Sequence, residues 1–225
     1  MKCGSLPSKA DVAEQRNFFE SILQPLMTQA KESKIALLFV DASHFVMGCD
    51  FLGYIYGITR RFIQTASGRK RYNVLGALNF VSKKVTTITN DTYITSLEIC
   101  ELLSTLAVEY VGMPIKLILD NARYQKCVLV TDKASALGIE LIYIPAYSPN
   151  LNLIERFWKF VKSELRKKYH SQFDVFSQKI DSIISSSDKD NKFAMDSLIT
   201  DKVQLFDDEF KSIVNIPVAH THFAA

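Results

Sequence analysis

The chain has 225 residues and a mass of 25.5 kDa, enough for one large domain or one domain with a short extension, and too little for a multi-domain assembly. An apolar content of 48% and a charged content of 23% match an ordinary globular chain and exclude the disordered and fibrous classes. Net charge is only +3, but it is uneven. Residues 34–85 hold eight Lys or Arg against two Asp or Glu, and residues 150–180 hold seven against three, while 86–149 and 181–225 are net acidic. Two separated basic blocks suit a polyanionic partner.

Taken in chain order, residues 11–32 form the first expected helix, kinked at Pro25. The apolar run that follows, from Ile35 to Val40, is closed by Asp41 and reads as a buried strand. At six residues it is the longest unbroken apolar stretch, far below the roughly 18 that cross a bilayer. The first residues also lack the apolar core of a secretory signal, so a cytosolic protein without membrane contact is expected.

Three segments rich in β-branched and aromatic residues follow, GYIYGIT (53–59), RYNVLGALNF (71–80) and KVTTITN (84–90), separated by turn signals. They predict an antiparallel meander. The period then becomes helical over 94–110, with Thr92 or Thr95 as a cap and Gly112 and Pro114 as terminators. IKLILD (115–120) is a strand closed by Asp120, residues 121–138 read as a helix ending at Gly138, and IELIYI (139–144) is another strand. A helix over 153–169 and further helices beyond 171 complete an α/β layout with an antiparallel start and β-α-β crossovers.

Cys3, Cys49, Cys100 and Cys127 form no C-x-x-C pair, and no histidine stands at ligand spacing, so reduced thiols are expected rather than a zinc site. His220 and His222 read as part of a solvated tail.

The acids are more informative. Asp41 and Asp120 each end a buried strand, and chemistry in α/β sheets collects at the carboxyl ends of strands. Each could equally be a turn residue. In the helix that follows Asn152, Glu155 shares an arc of about 60° with Lys159, Lys162 and Arg166, bordering an apolar stripe of Ile154, Trp158, Val161 and Leu165. Glu155 therefore either looks toward the sheet edge or closes a capping box begun by Asn152. Taken together, three clustered carboxylates repel one another unless cations neutralise them. An oxygen-only donor set suits two magnesium or manganese ions, which support in-line displacement at a phosphodiester.

DASHFV (41–46), TRRFIQTASGRKRYNVLGALN (59–79), TNDTYI (89–94), LILDNARYQ (117–125) and YSPNLNLIERFWKFVK (147–162) resemble the DDE transposases of the mariner superfamily, in particular its bacterial insertion-sequence branch. Between Asp120 and Glu155 lie 34 residues, the spacing of that superfamily. The resemblance spans about residues 30–210. It implies a ribonuclease H-like fold with a mixed five-stranded sheet, three antiparallel strands followed by two parallel ones, flanked by helices. It also implies a helical lead-in at 1–33, a catalytic domain at 34–170 and a helical extension at 171–225.

The resemblance carries the metal-ligand role onto Asp41, Asp120 and Glu155. It implies metal-dependent cleavage at the ends of a mobile DNA element, then attack of the freed 3′-hydroxyl on target DNA with no covalent enzyme intermediate. Double-stranded DNA and a second copy of the chain are the implied partners, in a nucleoid-associated bacterial cytoplasm. Helix-turn-helix modules precede the catalytic domain in the family, and 40 residues ahead of Asp41 are too few for two of them. A separately encoded helix-turn-helix protein or a truncated copy is the expectation. A structure-specific nuclease of the same fold and a non-catalytic DNA-binding remnant are the alternative readings.

Around the acids, Arg60, Arg61, Arg69, Lys70 and Arg71 suit phosphate contacts or form a solvated loop. Lys159, Lys162 and Arg166, continued by Lys167 and Lys168, offer a basic face on the helix of Glu155. His44 either orients a ligand or water or is an ordinary buried histidine, and Asn121 either holds a water near Asp120 or closes the turn. Trp158 reads as core.

Overall fold

The computed structural model describes residues 9–48, 70–187 and 190–205. The expected strand at 53–59, together with Arg60, Arg61, Arg69, Cys3, Cys49, His220 and His222, lies outside the described residues.

The helix expected over 11–32 consists of α1 (Val12–Phe18), a π-helical turn (Phe19–Leu23) and α2 (Gln24–Lys31). Pro25 has no N–H for the carbonyl four residues back, and its ring would strike that carbonyl. The widened turn immediately before it absorbs the misfit.

Five strands form one mixed sheet in the order β3-β2-β1-β4-β5. β1 (Ala36–Val46) pairs antiparallel with β2 (Arg71–Asn79), which pairs antiparallel with β3 (Val85–Asn90). β4 (Ile115–Leu119) and β5 (Ile139–Tyr143) run parallel to β1. The two parallel strands are reached through α3 (Ser96–Glu109) and α4 (Val128–Ala136). Thr95 and Glu98 form a complete capping box at the start of α3. α4 is shorter than the helix expected over 121–138. A 3-10 turn (Arg123–Gln125) precedes it, and Cys127 is extended at ψ 157°, so the residues after Asp120 bend around the sheet edge before a helix begins.

Alternation along β1 divides the core into two layers. Leu37, Phe39 and Phe45 pack with residues of α2, α5 (Ile154–Leu165) and α6 (Phe173–Ser185). Leu38 and Val40 pack with residues of α3 and α4. β1 is thus covered on both faces, which is why its first half reads as an unbroken apolar run. α7 (Lys192–Leu198) adds Met195 to the first layer. No helix among the described residues is long and apolar enough to cross a membrane.

Candidate active site

Asp41 has the same parity on β1 as Leu37, Phe39 and Phe45, so its side chain leaves the sheet toward α5. The parallel register pairs Phe39 with Ile118. Continued by two residues, it sets Asp41 level with Asp120, on neighbouring strands spaced about 4.8 Å apart. The ladder opens at this point. The Leu119 carbonyl accepts from Ile144 N–H at 2.9 Å, on the β5 side, while the Val40 carbonyl accepts from Asn152 Nδ2 at 3.0 Å.

That last bond replaces the expected cap. α5 begins without a side-chain cap, and Leu153 rather than Asn152 occupies the N-cap position. Asn152, 3% exposed, instead ties the start of α5 to the end of β1, three residues before Glu155. Glu155 N–H is held by the Asn152 carbonyl at 3.1 Å, and its side chain is free of capping duty. Asp41, Asp120, Asn152 and Glu155 all line a single cleft of about 420 Å³, roofed by the 144–149 loop. In that loop Tyr147 is 53% exposed and takes a positive φ of 56°, a region that bulky side chains rarely enter.

Electrostatics mark this cleft as strained in charge. The Asp41 carboxyl is pushed up to about 7, first by burial, then by repulsion from Glu155 and Asp120, with the Ala42 N–H and the Trp158 indole opposing. Tyr124 is likewise pushed up to about 12 by burial and by the negative charge of Asp120 and Asp41. Among the described residues, no three His, Cys, Asp or Glu side chains converge closely enough to hold one ion among them. The three acids line one cleft without closing on a single point.

Residues 36–177 match the family described as DDE superfamily endonuclease, a stretch that includes all three acids. The chain belongs to that superfamily. Its fold is the ribonuclease H-like fold of transposases. A Mos1 transposase paired-end complex with the left transposon end superimposes with a TM-score of 0.63 at 14% identity, over 88% of this chain and 62% of the other. The Mos1 mariner paired-end complex with Mn gives 0.62 at 15% identity, over 88% and 62%. The Mos1 transposase catalytic domain with Raltegravir and Mg gives 0.61 at 13% identity, over 87% and 90%. The chain therefore spans less than two thirds of the transposase chains in the first two complexes and most of the isolated catalytic domain. No curated protein matches it.

The other expected site residues are dispersed. His44 is exposed, has the opposite parity from Asp41, and pairs through Nδ1 with Asn73 Oδ1 at 2.7 Å. It does not line the acid cleft. Asn73 in turn donates to Asn90 Oδ1 at 2.9 Å and to the Thr92 carbonyl at 3.0 Å, so His44 belongs to a polar ladder across β1, β2 and β3. Asn121 lines the cleft, and its amide donates to the Ile144 carbonyl at 2.5 Å, holding the roof loop to the β4 end.

Lys70 and Arg71 line a separate cleft of about 700 Å³ with Asp91, Tyr93, Phe173 and Asp174. Lys159 and Arg166 are exposed on α5. Lys162 is half-buried, with Nζ 5.9 Å from the Phe45 ring centre.

Three site residues escape the sequence pattern. Asn152 reads there only as a cap. Tyr124 follows Asp120 by four residues in the LDNARYQ stretch, but its approach to Asp41 is tertiary. Trp158 is core as expected, at 2% exposure, yet its indole Nε1 also donates to Asp41 Oδ2 at 3.1 Å. Helical spacing reveals which face a residue occupies but not where a polar atom on that face ends.

Proposed function

We propose that this chain is the catalytic domain of a transposase from the bacterial insertion-sequence branch of the mariner superfamily, with residues 34–170 as its catalytic core. It cleaves DNA phosphodiesters at element ends and joins the freed 3′-hydroxyl to target DNA. The observation that carries this reading is that Asp41, Asp120 and Glu155, brought from three separate elements, line one cleft and that Glu155 and Asp120 both push the Asp41 carboxyl upward.

The donor chemistry fits two divalent ions. All the candidate ligands are oxygen atoms, which suits magnesium or manganese. Each ion of that kind takes one or two protein carboxylates and keeps several waters, so pairs of acids in one cleft suffice. The buried Asn152 Oδ1, without a hydrogen-bond partner, adds a neutral acceptor to the same wall. Asp41 and Asp120 would hold one ion and Asp41 and Glu155 the other. When bound, such ions supply activation of an oxygen nucleophile and stabilisation of the leaving oxygen.

The protein residues do the rest. The sheet edge fixes the two aspartates, Asn152 anchors the helix that delivers Glu155, and the exposed Lys159 and Arg166 continue along that helix as phosphate contacts. Lys162, Lys70 and Arg71, with Arg60, Arg61 and Arg69, extend the proposed DNA-binding set. Double-stranded DNA, a second copy of the chain and a separately encoded helix-turn-helix protein are the proposed partners.

The deciding experiment is nicking of a plasmid carrying element ends in Mn²⁺ or Mg²⁺. Asp41→Ala, Asp120→Ala and Glu155→Ala are each expected to lower the rate by about a thousandfold or more, the scale of losing a major electrostatic contribution, while keeping the circular dichroism of the parent. Activity retained in all three would sink the reading. A parent that nicks but never joins a 3′-hydroxyl end to a second DNA would instead be a nuclease of this fold. A parent that binds DNA without nicking it would be the non-catalytic remnant.

A further inference from the structure

We propose that Trp158 is a positioning residue for the metal-binding acids, its indole N–H locking the Asp41 carboxylate at a set distance from Glu155 in a pocket that only a glycine at position 76 leaves open. The inference rests on the proposed metal-dependent function and assigns it a part that core packing alone does not explain.

Trp158 lies three residues after Glu155 on α5, so the helix itself fixes the separation of those two residues. Its Nε1 donates to Asp41 Oδ2 at 3.1 Å, which fixes Asp41 relative to Trp158. Helix and hydrogen bond together set the span between Glu155 and Asp41, although the two belong to elements 114 residues apart in sequence. The Ala42 N–H bonds the same carboxyl, so the Asp41 head group is held from its own strand as well as from α5. The ring is held from two sides by Phe45, centroids 6.2 Å apart at 78°, and by Phe157, 5.2 Å apart at 54°.

The third side is β2. Gly76 is the register partner of Asp41, and a Cβ there would stand 2.9 Å from both Cη2 and Cζ2 of the indole and 3.1 Å from Ile154 Cδ1. The first two separations lie below any ordinary carbon contact, so the indole would have to move, and its N–H with it. An apolar ring would fill the same core site without burying a donor that needs a partner. The donor of Trp158 has one, and it is a proposed ligand carboxylate. Groups that orient metal ligands in this way alter metal affinity or activity by about 10- to 100-fold when removed.

The test uses the full chain with Trp158 replaced by β-(3-benzothienyl)alanine, which keeps the fused ring and exchanges N–H for sulfur, with Trp158→Phe and Gly76→Ala beside it. Three quantities are read: Mn²⁺ affinity by calorimetry without DNA, kcat and KM for plasmid nicking, and the melting temperature without metal. The benzothienyl protein is expected to melt like the parent, to bind Mn²⁺ about 10- to 100-fold more weakly, and to lose kcat with an unchanged KM for DNA. Gly76→Ala is expected to weaken Mn²⁺ binding in the same direction.

Parent-like Mn²⁺ affinity and kcat in the benzothienyl protein would overturn the inference and leave the proposed function standing. A melting temperature that drops in step with Mn²⁺ affinity would assign Trp158 to packing and overturn it too. A parent that binds no Mn²⁺ would overturn both.

Discussion

Asp41 is half-buried beside two other acids, and that placement has a measurable consequence in the absence of metal. Its folded-state pKa, about 7, lies above the ordinary 3.8, so between those values the folded chain retains a proton that the unfolded chain has released. The contribution favouring the fold is complete below about pH 4 and is lost as pH rises through 7. In chelator, Asp41→Asn is therefore expected to be more stable than the parent at pH 8, by at most about 4 kcal/mol, with the difference vanishing near pH 4. Urea unfolding at the two pH values checks this, and equal stability at both would contradict the burial of a charged Asp41. The neighbouring Asn152 carries a different requirement. Asn152→Ala removes the donor to the Val40 carbonyl and leaves a buried acceptor unpaired, a cost of about 1–3 kcal/mol that the same unfolding curves would register.

At the scale of elements, α5 carries an apolar and a basic surface on adjoining faces. Ile154, Trp158, Val161 and Leu165 are buried, whereas Lys159 and Arg166 are exposed, with Lys162 between them. Replacing Lys159, Lys162 and Arg166 together by alanine is expected to leave folding intact and to weaken DNA binding at every sequence tested. The slope of log K against log salt should become shallower by about 2.7, near 0.9 for each phosphate left without its cation. Binding measured by anisotropy between 50 and 300 mM salt decides it, and an unchanged slope would mean that these cations face no phosphate. α3 shows a purely structural device of comparable scale. Its capping box joins Thr95 to Glu98, and Glu98 also accepts from Asn90 Nδ2 at 3.2 Å, so the TNDTYI stretch links the polar ladder of β1, β2 and β3 to a helix start.

At the scale of the whole molecule, the segment beyond α7 is bound back across α5. The Arg156 guanidinium donates to the Leu198 carbonyl at 3.3 Å and the Lys202 carbonyl at 2.6 Å. Asn150 Nδ2 reaches Gln15 Oε1 at 3.0 Å and the Gln204 carbonyl at 2.8 Å. One short stretch around Glu155 thus touches both the first helix and the last described residues. Arg156→Ala is expected to destabilise the fold by about 1–3 kcal/mol and to speed proteolysis after α7 before the sheet opens. Limited digestion followed by mass spectrometry measures this, and a digestion pattern identical to the parent's would show that these hydrogen bonds hold nothing in place.

Much of this architecture is legible in local pattern. Apolar runs closed by Asp41 and Asp120, the shift of period after residue 90 and the amphipathic stripe of α5 each report a face or an edge, because burial acts on side chains at intervals of two or 3.6 residues. Family motifs add the spacing of the acids. Other features have no such signal. The opening of the β1–β4 ladder, the use of Asn152 as a tie rather than a cap and the meeting of indole and carboxylate depend on approaches between residues as many as 117 positions apart. The amino-acid order by itself determined most of the strand and helix segments and the close of β4 at Asp120, whereas β1 runs on past Asp41 to Val46, paired with β2. Only tertiary packing decided which polar atoms meet, since a hydrogen bond is set by the closest few ångströms of two surfaces and leaves no periodicity in either segment.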